Sequence, residues 1–392
     1  MKQYKYLIIG GGMTADAAVR GIRHVDRDGS VAILSEEEDA PYARPPLTKG
    51  LWKGKEIETI WRGTEELDTD LHLGCKVVKL DPNQYRVVDD QNGEYEFKKL
   101  LIATGGQPRR LPFEDEGILY YRYLKDFKTL QEYTEKYDKF SVIGGGFIGS
   151  EIAAALAMKD KKVTIVFPEV GIGGLQFPQD LAKDLNDYYR QNCVRVLDKH
   201  KVTGIRKGGD RWILETDQDR DVTAEVVLAG IGIRPNTELA EDAGLEVDDG
   251  IIVDPSLRTS HQDVFAAGDV ARFYNPGLGK DLRVEHEDNA LAMGEMAGRS
   301  MAGEDVEYDY LPYFYSDLFD RGYEAVGELN PDYEIVSDWH EPTQKGVVYY
   351  LHEGRVRGVL LWNVWGKVDE ARNLIYQPGP FHEKDLKGYL EG

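Results

Sequence analysis

The sequence predicts an α/β fold: two Rossmann-like dinucleotide-binding domains, the second inserted in the first, and a smaller C-terminal α+β domain. Three observations predict it. One glycine-turn pattern occurs twice with the same flanking plan. Apolar runs that complete the first domain reappear after the second copy. From about residue 311 the chain changes to aromatic-rich and apolar runs.

The first copy begins with the apolar run at residues 4–9 (YKYLII), continues through GGGMTADAAVRGI, and returns to an apolar strand, Val31–Leu34, followed by Ser35 and Glu36. The second repeats the plan with residues 140–143 (FSVI), GGGFIGSEIAAALA, residues 163–167 (VTIVF) and Glu169. From first glycine to acidic residue the spacing is 26 positions in one copy and 25 in the other. Gly10-x-Gly12-x-x-Ala15 and Gly144-x-Gly146-x-x-Gly149 are both dinucleotide fingerprints. The first glycine permits the tight turn, the second admits a pyrophosphate to the backbone, and the small third residue lets helix pack on strand. The helix N-terminus supplies amide donors, and the acid at the end of the next strand accepts from ribose hydroxyls. Glu36 and Glu169 are those acids. Residues 170–176 hold no arginine or lysine to receive a 2′-phosphate, so the second site favours NADH over NADPH.

Between the two units, residues 76–80 (KVVKL) and 95–103 (YEFKKLLIA) read as strands, as do Val226–Ala229 and residues 251–254 after the second. The aromatic-rich YLPYFYSDLF and the runs at residues 346–351 (GVVYYL) and 356–362 (VRGVLLW) suggest an antiparallel sheet.

Length and charge bound the remaining possibilities. At 392 residues the chain exceeds what one core serves. Its 48 basic and 70 acidic side chains give a net charge of −22, which repels nucleic acid and anionic membranes. No run approaches the ~20 apolar residues of a membrane span. The first strand follows Met1 closely, which leaves no room for a leader and suggests a cytoplasmic location. Cys75 and Cys193 stand far apart in no CxxC motif, so neither a disulfide framework nor a dithiol centre is expected, and no metal site is expected.

Two segments resemble those that turn a nucleotide site into a flavin site in two-dinucleotide flavoproteins. Residues 100–106 (LLIATGG) end in Ala103-Thr104-Gly105-Gly106, and residues 264–270 (VFAAGDV) carry Asp269, placed to meet the ribityl chain of FAD. Their order implies a glutathione-reductase-like layout: a discontinuous FAD domain at 1–122 and 246–311, an NAD domain at 123–245 and a C-terminal domain at 312–392. Thiol-dependent relatives need a cysteine where this chain has PYARPPLTK at residues 41–49. Reduced flavin must therefore face the acceptor directly.

The runs PYARPPLTKGLW, GGGFIGSE, VFPEVG, RVEHEDNA, FYSDL, GYEAVG and LWN resemble the apoptosis-inducing factor family of NADH oxidoreductases, within the wider group of ferredoxin and rubredoxin reductases. The resemblance implies that Arg44 and Lys49 contact FAD and that Lys49 pairs with Glu151 beside flavin N5; these two are the catalytic candidates. It places Val78, Arg122 and Asp269 against FAD, and Glu285 and His286 at the flavin–nicotinamide edge. Phe147, Ile148, Gly232, Glu324 and Asn363 fall at NAD positions. Tyr315 stands where the family commonly has tryptophan. A lysine beside the flavin can stabilise negative charge on the reduced ring. The implied function is hydride transfer from NADH to flavin N5 and onward transfer to a small acceptor such as a quinone or oxygen. Two alternatives are a ferredoxin or rubredoxin reductase component, whose acidic partner suits a −22 surface poorly, and an NADH-sensing interaction protein with incidental turnover. The protein is expected as a monomer or an NADH-linked homodimer. The animal proteins' regulatory insertion and nuclear-localisation cluster are missing, so a death-signalling role is not implied.

Overall fold

A computed structural model describes residues 1–113 and 117–390. The chain forms two compact units, each assembled from separated segments.

The first unit comprises Met1–Arg44, Glu56–Gln107 and Arg234–Pro312. Its centre is a parallel sheet in the order Thr69–His72, Val31–Leu34, Lys2–Ile9, Glu94–Ile102, Val264–Ala266. The antiparallel strands Arg86–Asp89 and Val77–Asp81 extend it from the start of Glu94–Ile102. Leu7, Ile8, Leu100, Leu101 and Phe265 are fully buried, as parallel strands covered on both faces require. Register aligns the strand ends: Ile9 lies opposite Leu34 and Ile102, and Ile102 opposite Ala266. Gly10, Ser35, Ala103 and Ala267 therefore emerge level along one edge, the carboxyl edge where ligands bind in such sheets. The strand expected at 251–254 shortens to Ile251–Ile252. The Asp254 carboxylate accepts from the amides of Ser256 and Arg258, and this side-chain turn ends the strand.

The second unit comprises Pro45–Lys55, Pro108–Ile233 and Tyr313–Gly392. Its parallel sheet runs Arg195–Leu197, Lys162–Val166, Lys139–Ile143, Val226–Ala229, Ile118–Tyr120. Again the ends are level, with Ile143 opposite both Val166 and Ala229. The strand expected through Phe167 stops at Val166, ahead of Pro168, which has no N–H for a ladder. The C-terminal residues form the expected antiparallel sheet, ordered Tyr313–Leu318, Arg321–Gly327, Arg355–Trp362, Lys345–His352, Glu334–Glu341, with the helix Val368–Tyr376 after it. Phe177 packs edge-on against Tyr323 at 5.2 Å and Trp362 at 5.7 Å, and so anchors this sheet within its unit.

In the first unit the helices Met13–Val25 and Glu287–Met301 cross at glycines. A Cβ on Gly298 would lie 2.0 Å from the carbonyl oxygen of Ala18, and one on Gly21 2.0 Å from that of Glu295. Gly298→Ala should force the helices apart and lower stability by about 2 kcal/mol, an overpacking cost read from the urea unfolding midpoint.

Candidate active site

The two glycine turns are held by the same bonds. Gly10 N–H donates to Leu34 O at 2.8 Å and Ala103 N–H to Ile9 O at 2.8 Å; Gly144 N–H donates to Val166 O and Gly230 N–H to Ile143 O, both at 2.9 Å. Gly10 has φ +109° and Gly144 φ +108°, and a Cβ on either would sit 2.2 or 2.3 Å from the carbonyl oxygen of Ala103 or Gly230. Only glycine fits both the backbone and the space. At the second glycine of each turn the situation reverses: a Cβ on Gly12 or Gly146 would meet no protein atom within 4 Å. Each heads a helix, Met13–Val25 or Phe147–Ala157. An open floor under a helix N-terminus fits a pyrophosphate. Buried Ala15 and Gly149 complete the two turns.

Around the first turn, a Cβ on Gly268 would lie 2.3 Å from Thr14 Oγ1, so the strand end carrying Asp269 is set against the start of the first helix. Thr104 is fastened by Asn236, whose carbonyl accepts from its hydroxyl at 2.9 Å, and Asn236 N–H donates to Gly105 O. Glu36 is largely exposed and meets Lys76 at 3.3 Å, a surface pair of small energetic weight. Val78 is 54% exposed. Arg44 is fixed by Glu37 at 2.6 Å, an acid that its position one residue past Glu36 gave no reason to single out. Glu37 also accepts from Tyr42. Asp16 was likewise not anticipated: it is fully buried, accepting from Arg20, Arg62 and Thr64. The i,i+4 pair with Arg20 is local, but nothing in the sequence marks the two further partners 46 and 48 residues away. Glu285 accepts from Arg283 at 2.7 Å, and His286 precedes the helix Glu287–Met301 as its N-cap residue.

In the second unit, Phe147 packs edge-on against Phe314 at 5.2 Å, and Ile148 is partly exposed. Glu169 lies beyond its strand, and its carbonyl accepts from the Lys199 amide at 3.0 Å. Gly232 O accepts from Arg109 N–H. Burial pushes the Glu324 carboxyl above its ordinary range while the Gly366 amide pulls it down. Asn363 uses its side chain structurally, accepting from Gly322 N–H and donating to Gln344 O. Arg122 lies just before the helix Leu124–Lys136, its amide on Asp126. Lys49, Arg122 and Tyr315, all expected on the FAD side, belong to the second unit and not to the unit with the first turn. Burial pushes the Cys75 thiol up to about 11, which leaves it an inert small side chain.

Lys49 and Glu151 meet, 102 positions apart in sequence. Lys49 Nζ lies 2.7 Å from Glu151 Oε1, the side chains 13% and 2% exposed. Ser316 Oγ donates to Oε1 and Thr48 Oγ1 to Oε2, each at 2.5 Å. Lys49 also stands 5.1 Å from the Tyr315 ring centroid. Thr48 and Ser316 were not singled out by sequence, although each adjoins a motif residue that was.

Residues 4–294 match the family described as pyridine nucleotide-disulphide oxidoreductase, and residues 334–377 match the C-terminal segment described for mitochondrion-associated apoptosis-inducing factor. The chain is 35% identical to apoptosis-inducing factor 1, mitochondrial, of Dictyostelium discoideum, over 96% of this chain and 79% of that protein. It is 33% identical to monodehydroascorbate reductase 3 of Arabidopsis thaliana, over 92% of this chain and 89% of the relative. The crystal structure of the covalent putidaredoxin reductase–putidaredoxin complex superposes with a TM-score of 0.89 at 25% identity, covering 96% of this chain and 94% of that one.

Desolvation pushes the His286 imidazole down to about 4 from its ordinary 6.5, against the pull of Asp269. Between those values the unfolded chain takes up a proton that the folded chain refuses, so stability present at neutral pH is lost on acidification through that window. His286→Gln should remove up to about 1 kcal/mol per pH unit of that slope, seen in urea midpoints collected across the window.

Proposed function

The chain belongs to the pyridine nucleotide-disulphide oxidoreductase family, with an apoptosis-inducing-factor type C-terminal segment, and on that premise we propose how its residues serve FAD and NADH. It is an NADH-dependent FAD oxidoreductase. The observation that carries the assignment of sites is the doubled glycine turn, anchored identically twice and open twice at its second glycine.

Gly10, Gly12 and Ala15 hold the FAD pyrophosphate, Glu36 its ribose, and Asp269 its ribityl chain. Gly144, Gly146 and Gly149 hold the NADH pyrophosphate and Glu169 the adenosine ribose. Bound FAD supplies the two-electron centre that takes hydride from NADH and passes electrons on. Lys49 would offer a fixed positive charge to the negative charge that builds on a reduced flavin, and Glu151 keeps that ammonium in place. The acceptor is a small molecule such as a quinone or oxygen. A second reading, a redox-protein acceptor, is favoured by the likeness to the reductase solved with putidaredoxin. The net charge of −22 weighs against it, since such a surface repels an acidic partner.

Anaerobic NADH should bleach the yellow protein. NADPH should do so at least about tenfold more slowly, because Glu169 opposes a 2′-phosphate; equal rates would reject that assignment. Gly12→Val should purify without flavin, whereas Gly146→Val should keep its colour and resist reduction. Mixing the reduced protein with oxygen, a quinone or a ferredoxin-type protein then ranks the acceptors by reoxidation rate.

A further inference from the structure

Burying a carboxylate is costly unless donors meet it. Three meet Glu151, from two separated parts of the second unit. The turn after the double proline brings Lys49 and Thr48; the edge strand Tyr313–Leu318 brings Ser316. Thr48 has a second acceptor, Pro45 O at 3.3 Å, but the 2.5 Å contact to Glu151 is much the shorter. An ammonium can only donate, and each hydroxyl has one proton. Together the three donors cover both oxygens of the carboxylate, Lys49 and Ser316 on Oε1 and Thr48 on Oε2, and so fix it in one orientation. The titratable groups facing it are Lys49, Tyr189 on the helix Gln179–Gln191 and Tyr323 on the strand Arg321–Gly327. Burial holds both phenols protonated far above neutral pH, with the Glu151 charge adding to the effect.

We propose that Thr48 and Ser316 are positioning residues: their hydroxyls hold the Glu151 carboxylate in one orientation, and through it hold the Lys49 ammonium. This rests on the role given above to the Lys49–Glu151 pair. Without the hydroxyls the ion pair would have to orient the carboxylate alone, through a flexible four-carbon stem. With them, the acceptor is set before Lys49 arrives.

The test uses the flavin-loaded protein and two readouts. The first is competitive acylation with acetic anhydride, comparing Lys49 with Lys99, which pairs with Asp263 in the other unit. Thr48→Val and Ser316→Ala should each raise Lys49 acylation about tenfold, the scale of losing one hydrogen bond to a charged group, with Lys99 unchanged. Thr48→Ser should behave as the parent. The second readout is the pH profile of anaerobic reduction by NADH, whose acid limb should move up by about one pH unit in the two hydroxyl-lacking variants and not in Thr48→Ser. Should Ser316→Ala fail to fold, the Thr48→Val and Thr48→Ser pair decides alone. The proposal is overturned if Thr48→Val leaves both readouts at parent values while Lys49→Met and Glu151→Gln slow reduction. If Lys49→Met and Glu151→Gln also reduce at the parent rate, the underlying role of the pair is overturned with it.

Discussion

At Gly10 and Gly144 the chain leaves a buried strand and passes so close to a neighbouring strand's carbonyl that no side chain fits. That approach is a steric constraint before it is anything functional. It requires the flanking strands to end level, which demands long apolar stretches in register, and it requires the following helix to start at once. With those conditions met, the second glycine of each turn faces open space above the helix N-terminus. The carboxyl edges of both sheets, the acids beyond Leu34 and Val166, and the Gly-Asp turn against Thr14 are all arranged around this approach.

What could be read in advance follows from the reach of each signal. The glycine turns and their strands were legible because all their determinants lie within about 30 residues and obey fixed periods. The C-terminal sheet was legible because its two apolar runs coincide with the largely buried strands Lys345–His352 and Arg355–Trp362. Asp16 was not, because its carboxylate is satisfied by groups delivered by the loop around Thr64, and no local pattern encodes a bond across that separation. Strand ends were misread where turn chemistry overrode apolarity, at Asp254 and before Pro168.

The ion pair illustrates a different limit. Lys49 and Glu151 could be named from motifs, but the two hydroxyls that complete the carboxylate's coordination could not. Serine and threonine are common beside such motifs and usually cap turns or face water. Their role becomes visible only when the double-proline turn and the edge strand both converge on one buried oxygen pair. A charge this well enclosed is expensive to rearrange, so it defines a fixed electrostatic reference for whatever chemistry takes place near it.

The chain passes from one unit to the other five times between Arg44 and Tyr313. Neither unit is a contiguous stretch, and this governs biosynthesis. During synthesis, Met13–Val25 emerges long before Glu287–Met301, the helix whose glycines receive it. The sheet of the first unit waits equally long for its last strand, Val264–Ala266. Most of the polypeptide must have left the ribosome before the first nucleotide-binding unit can close. Until then its apolar strands stand open to chaperones or to misassociation.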